Sequence, residues 1–276
     1  MKTDLAETES IELHLLVEAL FRKYHYDFRD YSEASLKRRL VQARSHFHCK
    51  TFSALQERVL HDGEVLPQML NYLTVQVSEM FRDPDYFKTL REQVVPHLRT
   101  YPSLKVWVAG CSSGEELYSL VILFREEGLE ERTIFYATDI NTDALKKAEA
   151  GMYELERIPL FTANHQRGGG RSSLSDYYTT AYGAAVFDKS LRKRTVFSDH
   201  SLVSDAVFAE AQLVSCRNVL IYFNRDLQDR AVGLFKDSLV RKGFLGLGSK
   251  ESLHFSAHAD EFQEFARNER IYQKRG

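Results

Sequence analysis

The sequence predicts an α/β protein. A parallel sheet covered on both faces follows a small helical domain and carries a β-hairpin insert. Three observations point there. Apolar residues recur at helical spacing through residues 10–92, with no period-two alternation. From residue 104, short apolar runs alternate with amphipathic helices. Residues 153–198 break that alternation with Gly168-Gly169-Gly170, Tyr177, Tyr178, Tyr182 and a turn at Gly183. The expected units are 1–92, 93–276 and, within the latter, the insert 153–198.

In the helical part, Ile11, Leu15, Leu16, Ala19, Leu20 and Tyr24 mark a first helix. Leu36, Leu40, Ala43 and Phe47 form one stripe of a second, starting at Ser35; Phe52, Leu55, Val59 and Leu60 suggest a third. Lys105–Ala109 reads as a buried strand and Glu115–Glu127 as the helix after it. Thr133–Ala137 is a second strand, and Thr142–Ala150 a helix behind Asn141. Ala211–Ser215, a helix over Asp226–Val240 and a strand over Gly243–Gly248 complete the pattern.

Composition narrows the function. In 276 residues, 37 Lys and Arg oppose 39 Asp and Glu, so no chain-wide basic signature for nucleic acid exists. Three cysteines, none in a CxxC pair, predict a reduced, cytoplasmic protein. The polar start MKTDLAETES is no secretory signal, and no apolar run reaches the ~20 residues that span a bilayer. There is no HExxH and no metal-ligand spacing.

The most informative stretch is Val106 to Glu116, a strand running into Gly110-Cys111-Ser112-Ser113-Gly114 and then a helix. Small residues let a ligand approach the backbone. The spacing is Gly-x-x-x-Gly, not the dinucleotide Gly-x-Gly-x-x-Gly, and two carboxylates, Glu115 and Glu116, follow at once. A helix start normally favours anions, but these acids would repel a pyrophosphate and suit a cationic ligand. Asp139, at the tip of the second strand, is placed to accept both hydroxyls of a ribose. Loop and acid together fit S-adenosylmethionine better than a dinucleotide.

These residues resemble the chemoreceptor glutamate methyltransferases of bacterial chemotaxis. Ser78-Glu79-Met80-Phe81-Arg82 is similar to that family's segment ending in Phe-Phe-Arg. Gly110–Glu116 resembles its Ser-Thr-Gly-Glu-Glu loop, and Thr138-Asp139-Ile140 its Ser/Thr-Asp-Ile-Asp. Cys216-Arg217-Asn218-Val219-Leu220-Ile221-Tyr222-Phe223 is close to its Cys-Arg-Asn-Val segment. The resemblance spans most of the chain. It implies a class I methyltransferase-like Rossmann domain, with S-adenosylmethionine as cofactor and S-adenosylhomocysteine as product.

By position, the resemblance implies that Arg82 meets the cofactor's carboxylate, Glu115 or Glu116 its amino group, and Asp139 its ribose. Gln76 and Ser78 lie near it, Ser201-Leu202 line the adenine, and Arg217-Asn218 close the site beside the methionine portion. Arg82 and Tyr222 are the catalytic candidates. Gln76 stands where Asn is common, Leu117 where Pro often follows the acids, and Ser201 where Asn is usual.

The implied reaction esterifies glutamate side chains of a receptor's cytoplasmic helical domain. A carboxylate of reference pKa ~4.3 is already ionised at neutral pH, so no general base is needed. No Ser-His-Asp or Cys-His set stands out to supply one. Lys37, Arg38, Arg39 and Arg44, on a predicted helix, are candidates to dock an acidic receptor helix. The short turn around Tyr182-Gly183 predicts independence from a receptor's C-terminal pentapeptide tether. A monomer without nucleic-acid partner or membrane insertion is expected. The rival readings are a cofactor-binding or receptor-docking module without turnover, methyl transfer to another substrate, and, more remotely, a dehydrogenase.

Overall fold

A computed structural model of the chain describes residues 2–74 and 78–276, with side chains of the first helix described from residue 6. The chain divides into two compact units. One comprises Met1–Val75 with Tyr222–Gln228, the other Gln76–Ile221 with Asp229–Gly276.

The first unit is built from α1 (Lys2–Tyr24), α2 (Glu33–His46), α3 (Phe52–His61) and α4 (Val65–Leu73). Thr51 caps α3 by accepting from the Ala54 amide at 3.0 Å. The α2 stripe of Leu36, Leu40, Ala43 and Phe47 is buried as its spacing predicts. In α1 the inward row is Leu13, Leu16, Val17 and Leu20. Ile11 and Leu15 are instead 55% and 53% exposed, because apolar residues occupy two faces of this helix and only one meets α3. The 222–228 segment joins this unit through the chain's turn at 30–32. The Ser32 amide donates to the Tyr222 carbonyl at 2.9 Å and the Asn224 amide to that of Asp30 at 2.8 Å.

The second unit begins with α5 (Pro84–Thr89) and α6 (Val95–Leu98), joined by a π-turn over Leu90–Val94. Pro96 has no N–H to continue the regular ladder, and the Val95 amide reaches back five residues to Leu90. Tyr86, Phe87, Leu90 and Val94 of this stretch pack into the α/β core. The boundary between units thus precedes α5 instead of following it.

The α/β part continues with β1 (Leu104–Ala109), α7 (Glu115–Glu126), β2 (Thr133–Asp139), α8 (Thr142–Ala150), β3 (Met152–Glu154), α9 (Ile158–Arg167), β4 (Tyr178–Ala181) and β5 (Ala184–Phe187). Then come β6 (Thr195–Asp199), β7 (Ala211–Cys216), α10 (Arg225–Ser238), β8 (Leu239–Leu247), β9 (Phe262–Ala266) and β10 (Ile271–Lys274). The main sheet runs β6-β2-β1-β7-β8-β10-β9. Its first five strands are parallel, and β10 and β9 are antiparallel additions. This is the doubly wound order with its crevice at the carboxyl ends of β1 and β7, where the order reverses.

The insert is the three-stranded sheet β3-β5-β4, whose hairpin turns at Tyr182-Gly183. It also contains a helix, α9, within the span expected to be β-prone. Pro159 near its start and the core-facing Ile158 and Phe161 make that helix legible in hindsight.

One glycine of the sheet carries a packing prediction. A Cβ on Gly246 would lie 2.0 Å from the Tyr86 hydroxyl and 2.8 Å from the ring carbon that bears it. Tyr86 is buried and bonded to Ser215 Oγ at 2.9 Å, so it has nowhere to retreat. Gly246→Ala is expected to cost about 3 kcal/mol, the scale of core overpacking. Denaturant unfolding measures it; an unchanged midpoint would mean the ring moves freely.

Candidate functional site

The site grows from the loop between β1 and α7. Gly110, Ser112 and Gly114 all have positive φ (70°, 51° and 92°). A Cβ on Gly110 would meet Val219 at 2.5 Å, and one on Gly114 would meet Ala148 at 2.8 Å, so the loop threads between neighbours that admit only glycine. Its curvature aims the Ser112 amide at Asp139 Oδ2, 2.8 Å away. The other carboxylate oxygen accepts from the Asn141 amide at 2.9 Å. Asn141, not Asp139, caps α8 by accepting from Asp143 and Ala144. Burial pushes the Asp139 carboxyl above its ordinary range despite those amide bonds.

The two acids after Gly114 have different surroundings. Glu115 is fully buried; it accepts from Ser113 Oγ at 2.8 Å and from Arg157 Nη1 at 2.9 Å. Glu116 is partly open, with Ser215 Oγ at 2.7 Å and Arg217 Nη1 at 3.4 Å.

Arg217, its side chain 1% exposed, donates to Asp83 at 2.8 Å and to the Arg82 carbonyl at 2.9 Å, and lies over the Tyr86 ring. Arg82 itself sits between two left-handed residues, Phe81 and Asp83. Its guanidinium has no hydrogen-bond or ion-pair partner among the described residues. Ser78, at the start of the same segment, offers its carbonyl to Arg157 Nη2.

Asn218 also has positive φ, and its amide donates to Glu251 at 2.9 Å. Glu251 further accepts from Gly248 and Ile221, fastening the loop after β7; burial raises its carboxyl's pKa. Ser201 forms a local turn, its hydroxyl accepting from Val203, and Leu202 is buried after β6. Gln76 lies outside the described residues.

Thiols and phenols around the loop are poor bases. Burial pushes the Cys111 and Cys216 thiols and the Tyr86 and Tyr153 hydroxyls well up.

Within the helical unit, Tyr222 lies under the Arg39 guanidinium, 4.1 Å from ring centroid to cation. Arg39 is 4% exposed and donates to the Leu73 carbonyl, so it is an interior cation of its unit and not an open docking charge. Lys37 and Arg44 both pair with Glu9, at 3.2 and 3.1 Å. Arg38 is the exposed member of the four.

Residues 76–271 match the CheR methyltransferase SAM binding domain, and residues 11–74 the CheR methyltransferase all-alpha domain. The chain belongs to the CheR methyltransferase family. A Pseudomonas putida protein that goes by the name methyltransferase Cher3 is 59% identical over 264 residues, covering 96% of this chain and 97% of that protein. A chemotaxis protein methyltransferase of Listeria innocua is 31% identical over 229 residues, 82% of this chain and 84% of that one. Membership makes this chain a methyltransferase that depends on S-adenosylmethionine, on a class I α/β fold. No helix among the described residues is long and apolar enough to cross a membrane.

The residues present suit that cofactor. It carries a carboxylate, an ammonium, a sulfonium and a ribose. A pair of acids and a strand-tip carboxylate lie at one bare-backbone loop, and Arg217 ties the segment of the unpartnered Arg82 to Glu116. Arg157, Glu251, Ser119 and Ser215 all support the site and escaped the sequence reading. Each is an isolated polar residue with a partner far along the chain, so no local pattern marks it.

Proposed function

We propose that this CheR-family enzyme transfers a methyl group from S-adenosylmethionine to glutamate side chains of a chemoreceptor's cytoplasmic helical domain. The product is a glutamate methyl ester that tunes sensory adaptation. The observation that carries this reading is the state of the thiols, phenols and glutamates beside the loop. The thiols and phenols beside the loop are held protonated, and Glu115 and Glu116 are tied to arginines. Such a site suits a nucleophile that arrives ionised, as a carboxylate does. The relatives named chemotaxis protein methyltransferase support the same substrate class.

The bound cofactor supplies an electrophilic methyl on a sulfonium. In this reading Arg82 receives its carboxylate by a charge-assisted contact, Glu115 or Glu116 its ammonium, and Asp139 its ribose hydroxyls. Ser78, Ser201, Leu202, Arg217 and Asn218 complete the enclosure, and Arg82 flanks the reacting centre. The protein contributes alignment and exclusion of water instead of proton transfer. On α2, Arg38 leads receptor docking; Lys37 and Arg44 flank it, and Arg39 holds Tyr222. The two-residue turn at Tyr182-Gly183 supports an enzyme that works without a pentapeptide tether.

The test is transfer from methyl-labelled S-adenosylmethionine to a receptor signalling-helix fragment. Label released as methanol by mild alkali, and lost when the fragment's glutamates become glutamine, is the expected result. Alkali-stable label would mean another substrate chemistry, and cofactor binding without transfer to any fragment would mean a docking module. In the same assay Arg82→Ala is expected to raise the KM for S-adenosylmethionine roughly 10- to 100-fold, the scale of a lost charged hydrogen bond.

A further inference from the structure

The segment that carries Arg82 is held by an arginine no motif predicted. Arg157 closes the short turn before α9, with its guanidinium over the Phe161 ring, 4.8 Å from the centroid. Nη1 donates to Glu115 Oε1 at 2.9 Å, and Nη2 donates to the Ser78 carbonyl. One planar fork therefore bridges the first residue of α7 and the start of the Ser78–Arg82 segment.

The geometry of that segment is not one the chain prefers. Phe81 and Asp83 both take left-handed φ, at 52° and 55°, and neither is glycine. Such backbone persists only where surrounding contacts over-determine it. Those contacts come from two helices. Asn164 Nδ2 of α9 donates to the Met80 carbonyl at 3.2 Å, and His165 packs its ring on Phe81. Ser119 Oγ of α7 accepts from the Phe81 amide at 2.8 Å. Arg157 ties both helices' supports together and also neutralises Glu115, whose buried carboxylate has Ser113 as its other side-chain hydrogen-bond partner among the described residues.

We propose that Arg157 is a positioning residue for the cofactor site: it sets the Arg82 segment and the Glu115 carboxylate in register, and so governs cofactor affinity without touching the reacting atoms. Helix α9 then acts as the brace through which the insert reaches the cofactor loop. The inference rests on the reading that Arg82 and the Glu115–Glu116 pair hold the cofactor.

The experiment compares wild type, Arg157→Met, Arg157→Lys and Arg82→Ala. Calorimetry gives affinity for S-adenosylhomocysteine, steady-state assay gives KM and kcat, and thermal melting gives folded fraction. Arg157→Met is expected to weaken S-adenosylhomocysteine and raise the KM for S-adenosylmethionine by about tenfold each, scaled from one charged contact. Its kcat should change less than about threefold. Arg157→Lys, which keeps the charge but cannot span both partners, is expected to fall between. A lowered melting temperature with unchanged affinity per folded molecule overturns the proposal. If Arg157→Met does not fold, Arg157→Lys decides, and wild-type affinity in it overturns the proposal too. Unchanged affinity in Arg82→Ala would instead break the underlying assignment of Arg82.

Discussion

Asp139→Ala is expected to weaken S-adenosylhomocysteine binding about 100-fold or more, the largest functional effect at this site. Two losses combine. The variant lacks the acceptor for ribose hydroxyls, worth roughly 1.5–3 kcal/mol per hydrogen bond to a charged group. It also strands the Ser112 and Asn141 amides, which the carboxylate now accepts from at 2.8 and 2.9 Å, so the glycine loop loses its tether. Asp139→Asn keeps one acceptor oxygen and should lie between wild type and alanine.

The pH dependence follows from the direction of the shift. Burial, the dominant cause, raises the Asp139 pKa in the folded protein. Ionisation therefore costs the folded state, and this group's contribution to stability declines as pH rises from the free-carboxyl value through the folded one. Binding needs the ionised form, so affinity should begin to fall on acidification at a higher pH than a free aspartate would give. Calorimetry of the variants across pH checks both; binding by Asp139→Ala at wild-type strength would remove Asp139 from the site.

Arg91→Met is expected to be the most destabilising single change, by roughly 3–5 kcal/mol, because it leaves buried carboxylates without their shared cation. Arg91 donates to Glu126 at 2.6 Å and to Glu127 at 2.8 Å, with all three side chains buried. Glu127 keeps Arg99 and Arg171, and Glu126 keeps His165 and Ser172. Neither set replaces a guanidinium placed between the two acids. Burial alone would push the Glu126 carboxyl up, but hydrogen bonds from His165 and Ser172, with Arg91, outweigh it and hold the group at about 2.

A depressed carboxyl contributes stability that is complete above its unfolded pKa, near ~4.3, and is lost as pH falls toward 2. The gap between wild type and Arg91→Met should accordingly be full at neutral pH and shrink across that window. Thermal melting at several pH values measures it. A gap that does not change with pH would mean the arginine stabilises by packing alone.

Much of this architecture is local and so was legible in order along the chain. The 3.6-residue stripe of Leu36, Leu40, Ala43 and Phe47 is an interaction within one helix, and it is buried as read. The alternation of apolar runs with helices gave the parallel sheet, because a crossover is the short way to bring two strands parallel. Gly110 and Gly114 betrayed a loop that only glycine can form, and Asp139 stood at a strand tip.

Other features depend on residues distant in sequence meeting in space. That Ile11 and Leu15 face outward was decided by which side of α1 meets α3. Arg39 shares its helix with Arg38, yet lies buried against Tyr222, 183 positions along a chain that returns to the helical unit. Residues 84–98 are helical, six residues beyond the helical stretch read to residue 92, and pack in the α/β core because their apolar face fits the sheet. Arg157 finds Glu115 across 42 residues, and Glu251 finds Asn218 across 33. By itself the sequence determined the first three helices, the strands on either side of the loop, the loop and the acids around it, since those follow from backbone sterics and periodicity over a few residues. Only the tertiary structure decided which charges are neutralised and which remain open to a ligand, because burial and the partner of a charge are properties of the packed chain.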